Sequence, residues 1–258
     1  MKMKKWLVLV ALLVGAVSAQ ATVFYWAGDW FEPAGDGEWT TAANWYDTTI
    51  GAALAPPGAA EHVIIDENVA GNPVGNPTLS AAGGTVNILT LGWGYAGTAT
   101  LNMTDGASLS VAGAGTFTRL GQIAGSTSYI NMTGASSLET TVLHVGFYGD
   151  GTINMNDDAI IRTADLGMAA QFALGGTGVI NMADNAKFRF DGDKTDGTAA
   201  NIIAQGWITA PGAGESIVAN YDAGNNWTEF TVIPEPATLS MVALMGGGML
   251  WIRKRFTI

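Results

Sequence analysis

Acidic side chains are the first candidates for chemistry in this sequence, which has 22 Asp and Glu against 11 Lys and Arg. Paired carboxylates can act as the acid and the base of a polysaccharide-cleaving site, and a cluster of them can hold calcium. The candidates lie among glycine and asparagine residues, where an Asp side chain stabilises a turn by bonding to the backbone. The sequence therefore predicts structural turns rather than a catalytic or calcium-binding cluster at Asp150, Asp157, Asp158, Asp165 and Asp184.

The two histidines and the lack of cysteine narrow the chemistry further. His62 and His144 belong to no motif with the spacing of metal ligands, so we expect both to be structural or solvent-facing. A chain with no Cys has no thiolate metal ligand, no disulfide and no Cys nucleophile. The sequence also lacks a Gly-x-Ser-x-Gly, a phosphate-loop and an HExxH motif. It predicts a protein that is not an enzyme and that uses no cofactor and no metal.

Four tryptophans near the N-terminus are the next candidates, because exposed aromatic rings can stack on sugars. They fall within twenty residues of one another: Trp26, Trp30, Trp39 and Trp45. The segment from Trp39 to Trp45, followed by Pro-rich turns, resembles the entry segment of autotransporter-like bacterial β-helix surface proteins. We favour an aromatic cap over a sugar-binding site for these tryptophans. Residues 22–84 would then cover the open apolar end of a stack of β-helix coils, because an unpaired terminal coil must be covered.

A repeat built on an Asn-Met pair runs through the middle of the chain, and it defines the elements that would position any site. Its Asn residues are spaced 29, 23 and 27 apart: Asn102, Asn131, Asn154 and Asn181. Five residues after each Asn the side chain is small: Ala107, Ser136, Ala159 and Ala186. Seven residues after it the side chain is apolar: Leu109, Leu138, Ile161 and Phe188. An apolar residue and a glycine precede each pair: Leu91-Gly92, Leu120-Gly121, Val145-Gly146 and Leu174-Gly175.

This repeat predicts short strands separated by turns. Alternation places Leu101 and Met103 on one side of a strand and Asn102 on the other. One unit cannot bury its apolar side alone, whereas stacked units bury a continuous core. We therefore predict an all-β fold, a short right-handed parallel β-helix of about four coils over residues 85–205. A β-sandwich is the alternative. Closing strands are expected over 206–233.

The recurrent asparagines are expected to stack and to hydrogen-bond along the solenoid rather than to form a functional array. An ice-binding surface would need aligned threonines. Alignment on the Asn positions gives Thr98, Thr127, Asp150 and Thr177, which is an incomplete threonine ladder. The sequence therefore gives ice binding little support.

The N-terminus has the pattern of a secretory signal. Three lysines precede an apolar run from residue 6 to residue 17, which is too short to span a membrane comfortably as an uncleaved anchor. The small residues Ala19 and Ala21 then mark a cleavage site for signal peptidase. Residues 1–21 are therefore predicted to be a signal peptide, helical before its removal.

The C-terminus carries a second targeting pattern. Pro234-Glu235-Pro236 is followed by an apolar stretch over 237–252 and then by Arg253, Lys254 and Arg255. Basic residues after such a stretch are typical of a stop-transfer transmembrane helix that leaves the preceding domain outside. With these three parts in order, residues 234–258 resemble the PEP-CTERM sorting signal that exosortases read in Gram-negative bacteria. The same motif is also labelled an ice-binding protein C-terminal domain, a label that describes the tail alone.

The resemblance implies two processing partners, signal peptidase and an exosortase-type enzyme that cuts near Pro-Glu-Pro. It also implies a transient stay in the inner membrane, followed by release to the cell surface, with an exopolysaccharide as a candidate partner. Between residues 22 and 233 the chain has five basic residues against 21 acidic ones, a formal net charge of −16. A body this acidic repels nucleic acids. The sequence thus predicts an exported surface or matrix protein with a structural or adhesive role; a polysaccharide-binding or polysaccharide-cleaving β-helix is the alternative.

Overall fold

The computed structural model describes residues 22–26, 38–47, 51–53, 55–66, 76–94, 96–113, 115–172 and 175–234. These residues form an all-β protein whose main body is a parallel β-solenoid of about five turns. The strands are β1 (Val23–Trp26), β2 (Trp45–Asp47), β3 (Gly51–Ala52), β4 (His62–Ile65), β5 (Thr78–Leu79), β6 (Ala82–Val86), β7 (Ile88–Leu91), β8 (Thr98–Met103), β9 (Ser108–Val111), β10 (Thr118–Leu120), β11 (Thr127–Met132), β12 (Ser137–Val145), β13 (Asp150–Met155), β14 (Ile160–Met168), β15 (Gly178–Met182), β16 (Lys187–Asp191), β17 (Ile208–Thr209), β18 (Ser216–Asp222) and β19 (Trp227–Ile233). Two short helices are α1 (Ala169–Phe172) and α2 (Thr198–Ala204), and a 3-10 turn spans Ala42–Asn44.

Three outward faces are formed when these strands stack in parallel. The asparagine face consists of β5, β8, β11, β13, β15 and β17, paired in that order. The second face consists of β6, β9, the first halves of β12 and β14, and β16. The aromatic–arginine face consists of β1, β4, β7, β10 and the second halves of β12 and β14. We name this face after Arg119 and the two aromatic residues that it contacts, Phe117 and Phe147.

The core lies between the three faces and follows the predicted register. The residues before each Asn are in register from coil to coil and fully buried, as are the methionines after each Asn. The predicted column of small residues is also fully buried, and the apolar column seven residues after each Asn is in register and buried. The predicted parallel solenoid is therefore confirmed, although it has about five turns where the repeat predicted about four.

Two long strands turn the corner between the second and the aromatic–arginine faces. Inside β12, the buried Thr140 hydroxyl donates to the carbonyl of Val142 at 3.0 Å. Inside β14, the buried Thr163 hydroxyl makes the same bond to Asp165 at 2.7 Å. Each bond fixes the chain where it bends, so that the halves of one strand belong to different faces.

One part of the predicted repeat is wrong. The alignment placed Leu174-Gly175 as the fourth apolar-glycine pair, but the strand register pairs Val145 with Met168. The corner that follows Met168 is made by α1 instead of a glycine. Because α1 inserts residues in this coil, the apolar-glycine pair of the sequence does not coincide with the corner of the structural repeat. Parallel pairing also includes β1, β4 and β5, upstream of residue 85.

Both ends of the described body pack large aromatic side chains. Near the first coils, the Trp45 ring meets the Trp26 and Trp39 rings edge-on at 5.0 and 4.7 Å, and all three are buried. At the other end, β19 pairs antiparallel with β16 and β18, and Phe230 packs edge-on against Phe188 at 5.9 Å. The strands expected over 206–233 are thus present, and β17 continues the parallel asparagine face.

Several sequence predictions concern residues outside the described ranges. These are the signal cleavage residues Ala19 and Ala21, Trp30, most of the sorting motif (Glu235, Pro236, Arg253, Lys254 and Arg255) and the apolar stretch 237–252. Pro234 is described and is exposed, directly after β19. Within the described ranges, no helix has the length and apolar character needed to cross a membrane.

Candidate functional site

The asparagine face shows how the repeated polar side chains are used. Three of the four asparagines donate an amide N–H to the Asn of the preceding coil: Asn131 to Asn102 at 3.0 Å, Asn154 to Asn131 at 2.9 Å and Asn181 to Asn154 at 2.9 Å. The Thr209 hydroxyl continues the ladder to Asn181 at 2.9 Å. The predicted asparagine stack is confirmed, and it ties successive coils together.

The candidate carboxylates also bond between coils. Asp157 accepts the backbone N–H of Gly134 at 3.0 Å, and Asp184 accepts that of Asp157 at 3.4 Å. Both Asp residues adopt a left-handed turn with φ of 57°. Asp158 lies in the same turn as Asp157. The turn interpretation is confirmed for these three residues.

The turn interpretation is wrong for the other two carboxylates, which lie in strands. Asp150 begins β13 and accepts both the backbone N–H and the hydroxyl of Thr177, at 3.0 and 2.6 Å. Asp165 lies at the bend of β14 and accepts the N–H of Leu166 at 2.9 Å. Among the residues that the structure describes, no group of three or more His, Asp and Glu could hold a metal ion.

A different set of side chains meets on the aromatic–arginine face. Parallel pairing places Arg119 of β10 between Thr90 of β7 and His144 of β12. His62 of β4 lies two strands away from Arg119 and bonds through its Nε2 to the Thr90 hydroxyl at 3.0 Å. Four neighbouring coils therefore contribute to one surface, although the residues are far apart in sequence.

Arg119 is held between aromatic rings. Its guanidinium carbon lies 4.1 Å from the centroid of Phe117 and 4.2 Å from that of Phe147. Its Nε donates to His144 Nδ1 at 3.3 Å and its Nη1 donates to Gln122 Oε1 at 2.7 Å. The ring contacts and the hydrogen bonds together fix the orientation of the guanidinium before any ligand binds.

Two exposed aromatic residues flank this arginine. Trp93 is 38% exposed and Tyr148 is 41% exposed, whereas most large apolar side chains of the solenoid are buried. The Trp93 ring meets the His62 ring edge-on at 5.5 Å, and the Tyr148 ring meets Phe147 edge-on at 4.8 Å. The face thus presents aromatic surface on either side of a cation.

Glycines at the solenoid corners lie directly before residues of this site. Gly92, Gly121 and Gly146 follow the last residues of β7, β10 and β12, with φ of 70°, 67° and 74°. A Cβ on Gly146 would lie 1.9 Å from the carbonyl oxygen of Thr177, so only glycine fits there. The residues that follow the three glycines are Trp93, Gln122 and Phe147, each of which contacts the site.

The two histidines of this face are neutral at pH 7. Burial, and then the charge of Arg119, lower the pKa of His62 from 6.5 to about 4. The same two causes, burial first, lower the pKa of His144, although Asp165 opposes them. Arg119 itself stays charged although burial lowers its pKa.

Arg119 differs from Arg162 and Arg189, the other arginines that the structure describes, in how its charge is balanced. Arg162 pairs with Glu139 and Asp191 at 3.4 and 2.9 Å, and Arg189 pairs with Glu229 at 2.9 Å. Arg119 makes no ion pair with a carboxylate of the described residues. A groove of about 390 Å³ on the second face contains Arg162 and both of its acidic partners, so the charge there is already compensated.

Sequence reasoning missed the aromatic–arginine face. The sequence analysis treated His62 and His144 separately. It also did not use the aromatic residue that follows a glycine in Gly92-Trp93 and in Gly146-Phe147, a pattern that could have revealed this face. We also compared the chain with family models, curated proteins and solved structures, and no family model, curated protein or solved structure matched.

Proposed function

We propose that this protein is an exported, exosortase-sorted protein of the cell surface or extracellular matrix, with a non-enzymatic structural and adhesive role. In this proposal residues 1–21 are a signal helix, residues 234–258 are a PEP-CTERM tail with a transmembrane helix, and the body is a right-handed β-helix with an aromatic cap. Signal peptidase and an exosortase-type enzyme are its processing partners.

One observation carries the adhesive part of this proposal. A solenoid whose asparagine face is internally bonded presents, on another face, a cation packed on Phe117 and Phe147 together with the exposed rings of Trp93 and Tyr148. Exposed aromatic rings with a polar neighbour are typical of binding surfaces rather than of free surface. The scaffold and the binding surface would then be two faces of the same coils.

The sorting part of the proposal rests on the sequence of the tail. Its position supports it, since β19 ends at Ile233 and exposed Pro234 follows at once, so a cut near Pro-Glu-Pro would leave the described body intact. Replacing Pro234, Glu235 and Pro236 with alanines should leave a larger form retained in the membrane. Unchanged size and location in cell fractions would refute the sorting assignment.

The second candidate is a polysaccharide-binding or polysaccharide-cleaving solenoid, which the exposed rings of Trp93 and Tyr148 favour in its binding form. The full-length chain should be incubated with a panel of polysaccharides, with and without calcium, and product length measured. Intact polymers are expected. Depolymerisation would overturn the non-enzymatic role and support cleavage.

A further inference from the structure

We propose that the aromatic–arginine face binds a carboxylated polysaccharide, with Arg119 contacting the carboxylate of an acidic sugar and Trp93 and Tyr148 contacting the sugar rings. The inference rests on the proposed adhesive role and adds the class of ligand. Four features of this face support it.

The first feature is the uncompensated charge. Arg119 carries its charge in a body of formal net charge −16, and within the described part of the chain it lacks the carboxylate partner that Arg162 and Arg189 have. A half-buried cation without an anion gains from any carboxylate that a ligand brings. An anionic ligand therefore complements this site, although the body as a whole is acidic.

The second feature is the preorganised geometry of the guanidinium. Phe117 and Phe147 pack against it with their centroids 4.1 and 4.2 Å from the guanidinium carbon, and His144 and Gln122 accept from Nε and Nη1. Its remaining nitrogen, Nη2, makes no hydrogen bond to any described residue. A planar cation held in this way loses little freedom when it binds a carboxylate.

The third feature is the exposed aromatic surface. Trp93 directly follows the corner glycine Gly92, and Tyr148 comes two residues after the corner glycine Gly146, two coils further along. Coils stack at about 4.8 Å, so these side chains are spaced along the solenoid axis by about 10 Å. Rings distributed along an axis on both sides of a cation fit an extended polymer whose sugars present apolar C–H faces.

The fourth feature separates a saccharide from an acidic peptide. The strands of this face are already paired on both sides, β7 with β4 and β10, and β10 with β7 and β12. A peptide therefore finds no strand edge to extend. A single cation in an acidic body also suits a polymer with at most one charge per sugar better than a densely sulfated one.

The test measures binding of full-length protein, purified in a non-ionic detergent with EDTA, to four immobilised polymers. These are polygalacturonate, its fully methyl-esterified form, dextran sulfate and poly-glutamate. EDTA prevents calcium from bridging the acidic body to a polyanion. We expect saturable binding to polygalacturonate, at least tenfold weaker binding to the methyl ester, and weaker binding to the other two polymers.

Variants then assign the contacts. Arg119→Gln should weaken binding to polygalacturonate by about 10- to 100-fold and abolish its preference over the methyl ester, whereas Arg119→Lys should recover only part of the loss. Trp93→Ala and Tyr148→Ala should weaken binding to both forms of the polymer alike. Arg162→Gln, which changes an arginine already paired with Glu139 and Asp191, is the matched control and should bind as the parent does.

Three results would overturn the inference. They are no binding to polygalacturonate, equal binding by the parent and a folded Arg119→Gln variant, and tighter binding to dextran sulfate or poly-glutamate. A far-ultraviolet circular dichroism melt establishes whether each variant is folded, and Arg119→Lys replaces Arg119→Gln if the latter does not fold. Because the assay uses purified protein, its failure is distinct from a failure of the sorting proposal, which is read from cell fractions.

Discussion

The asparagine face and the aromatic–arginine face belong to the same coils but use their outward side chains differently. On the asparagine face every ladder amide bonds to the next coil, so the polar groups of one coil satisfy those of its neighbour. On the aromatic–arginine face, ring contacts and a hydrogen bond hold the guanidinium of Arg119 in place. It forms no ion pair with a carboxylate of the described residues. Bonds between stacked coils therefore supply stability on one face, and the other face is left available for a ligand.

The largest expected effect is at the corner that joins these two faces. Gly146→Ala should destabilise the protein by about 4 kcal/mol or more, because the new Cβ would clash with the Thr177 carbonyl at a positive φ. Chemical denaturation measures the loss. The matched control is Gly175→Ala, where φ is also positive but no atom lies within 4 Å, and it should cost only about 1–2 kcal/mol. Equal losses would show that the corner is not constrained by the next coil.

The next effect concerns the asparagine ladder. Asn131→Ala removes one bond to Asn102 and one to Asn154, and should reduce the free energy of unfolding by about 2 kcal/mol. The control Asn102→Ala removes the bond with Asn131 alone and should cost about 1 kcal/mol. Denaturant melts of the two variants measure the difference. If Asn131→Ala proved as stable as the parent, the ladder would contribute no stability.

The aromatic–arginine face should also give the protein a pH dependence that the asparagine face cannot give. The folded pKa of His62, about 4, lies below its usual 6.5. As pH falls below 6.5, the unfolded chain takes up a proton that the folded chain does not, so stability falls until pH reaches about 4. We expect a loss of about 1–3 kcal/mol over this window, measured by denaturation at successive pH values. His62→Gln should flatten the slope, and an unchanged slope would contradict its assignment to this face.

A smaller effect, opposite in sign, is expected inside the core. Ser136 is fully buried and its hydroxyl has no hydrogen-bond partner, whereas the equivalent residue is Ala in three other coils. Ser136→Ala should therefore stabilise the protein by about 1 kcal/mol. A thermal melt with the parent as reference is sufficient. Destabilisation would mean that the hydroxyl has a partner, such as a buried water.

The smallest effect on stability is expected from the binding surface itself. Trp93→Ala removes a ring that is 38% exposed and that contacts His62 edge-on, so the free energy of unfolding should fall by only about 1 kcal/mol or less. Trp45→Ala is the contrasting variant. Its ring is fully buried between Trp26 and Trp39, and its loss should cost about 3–5 kcal/mol. A large cost at Trp93 would make that residue a part of the core rather than of a binding face.

The sequence predicted one of these faces and missed the other for a physical reason. Coils that stack in register must repeat their buried and bonded residues, so the Asn-Met pairs predicted the asparagine ladder and the core columns. A binding site has no such need to repeat. His62, Arg119 and Phe147 differ in type from coil to coil, and only the strand register brings them together.

The same reason explains the error at the fourth coil. Leu174-Gly175 has the expected residues, but α1 occupies the corner after Met168, and an insertion of this kind does not alter the local pattern. Upstream, β1, β4 and β5 pair in parallel without an Asn-Met pair, so the repeat alone did not predict them. Sequence reasoning was therefore most successful where neighbouring coils share a bonded column.

Different faces of the same coils thus carry stability and binding. This division can be tested by measuring the dissociation constant for polygalacturonate of Trp93→Ala and of Asn131→Ala, both at a temperature where each variant is folded. We expect about tenfold weaker binding for Trp93→Ala and parent-like binding for Asn131→Ala. Equal weakening in the two variants, or weakening in Asn131→Ala alone, would contradict it.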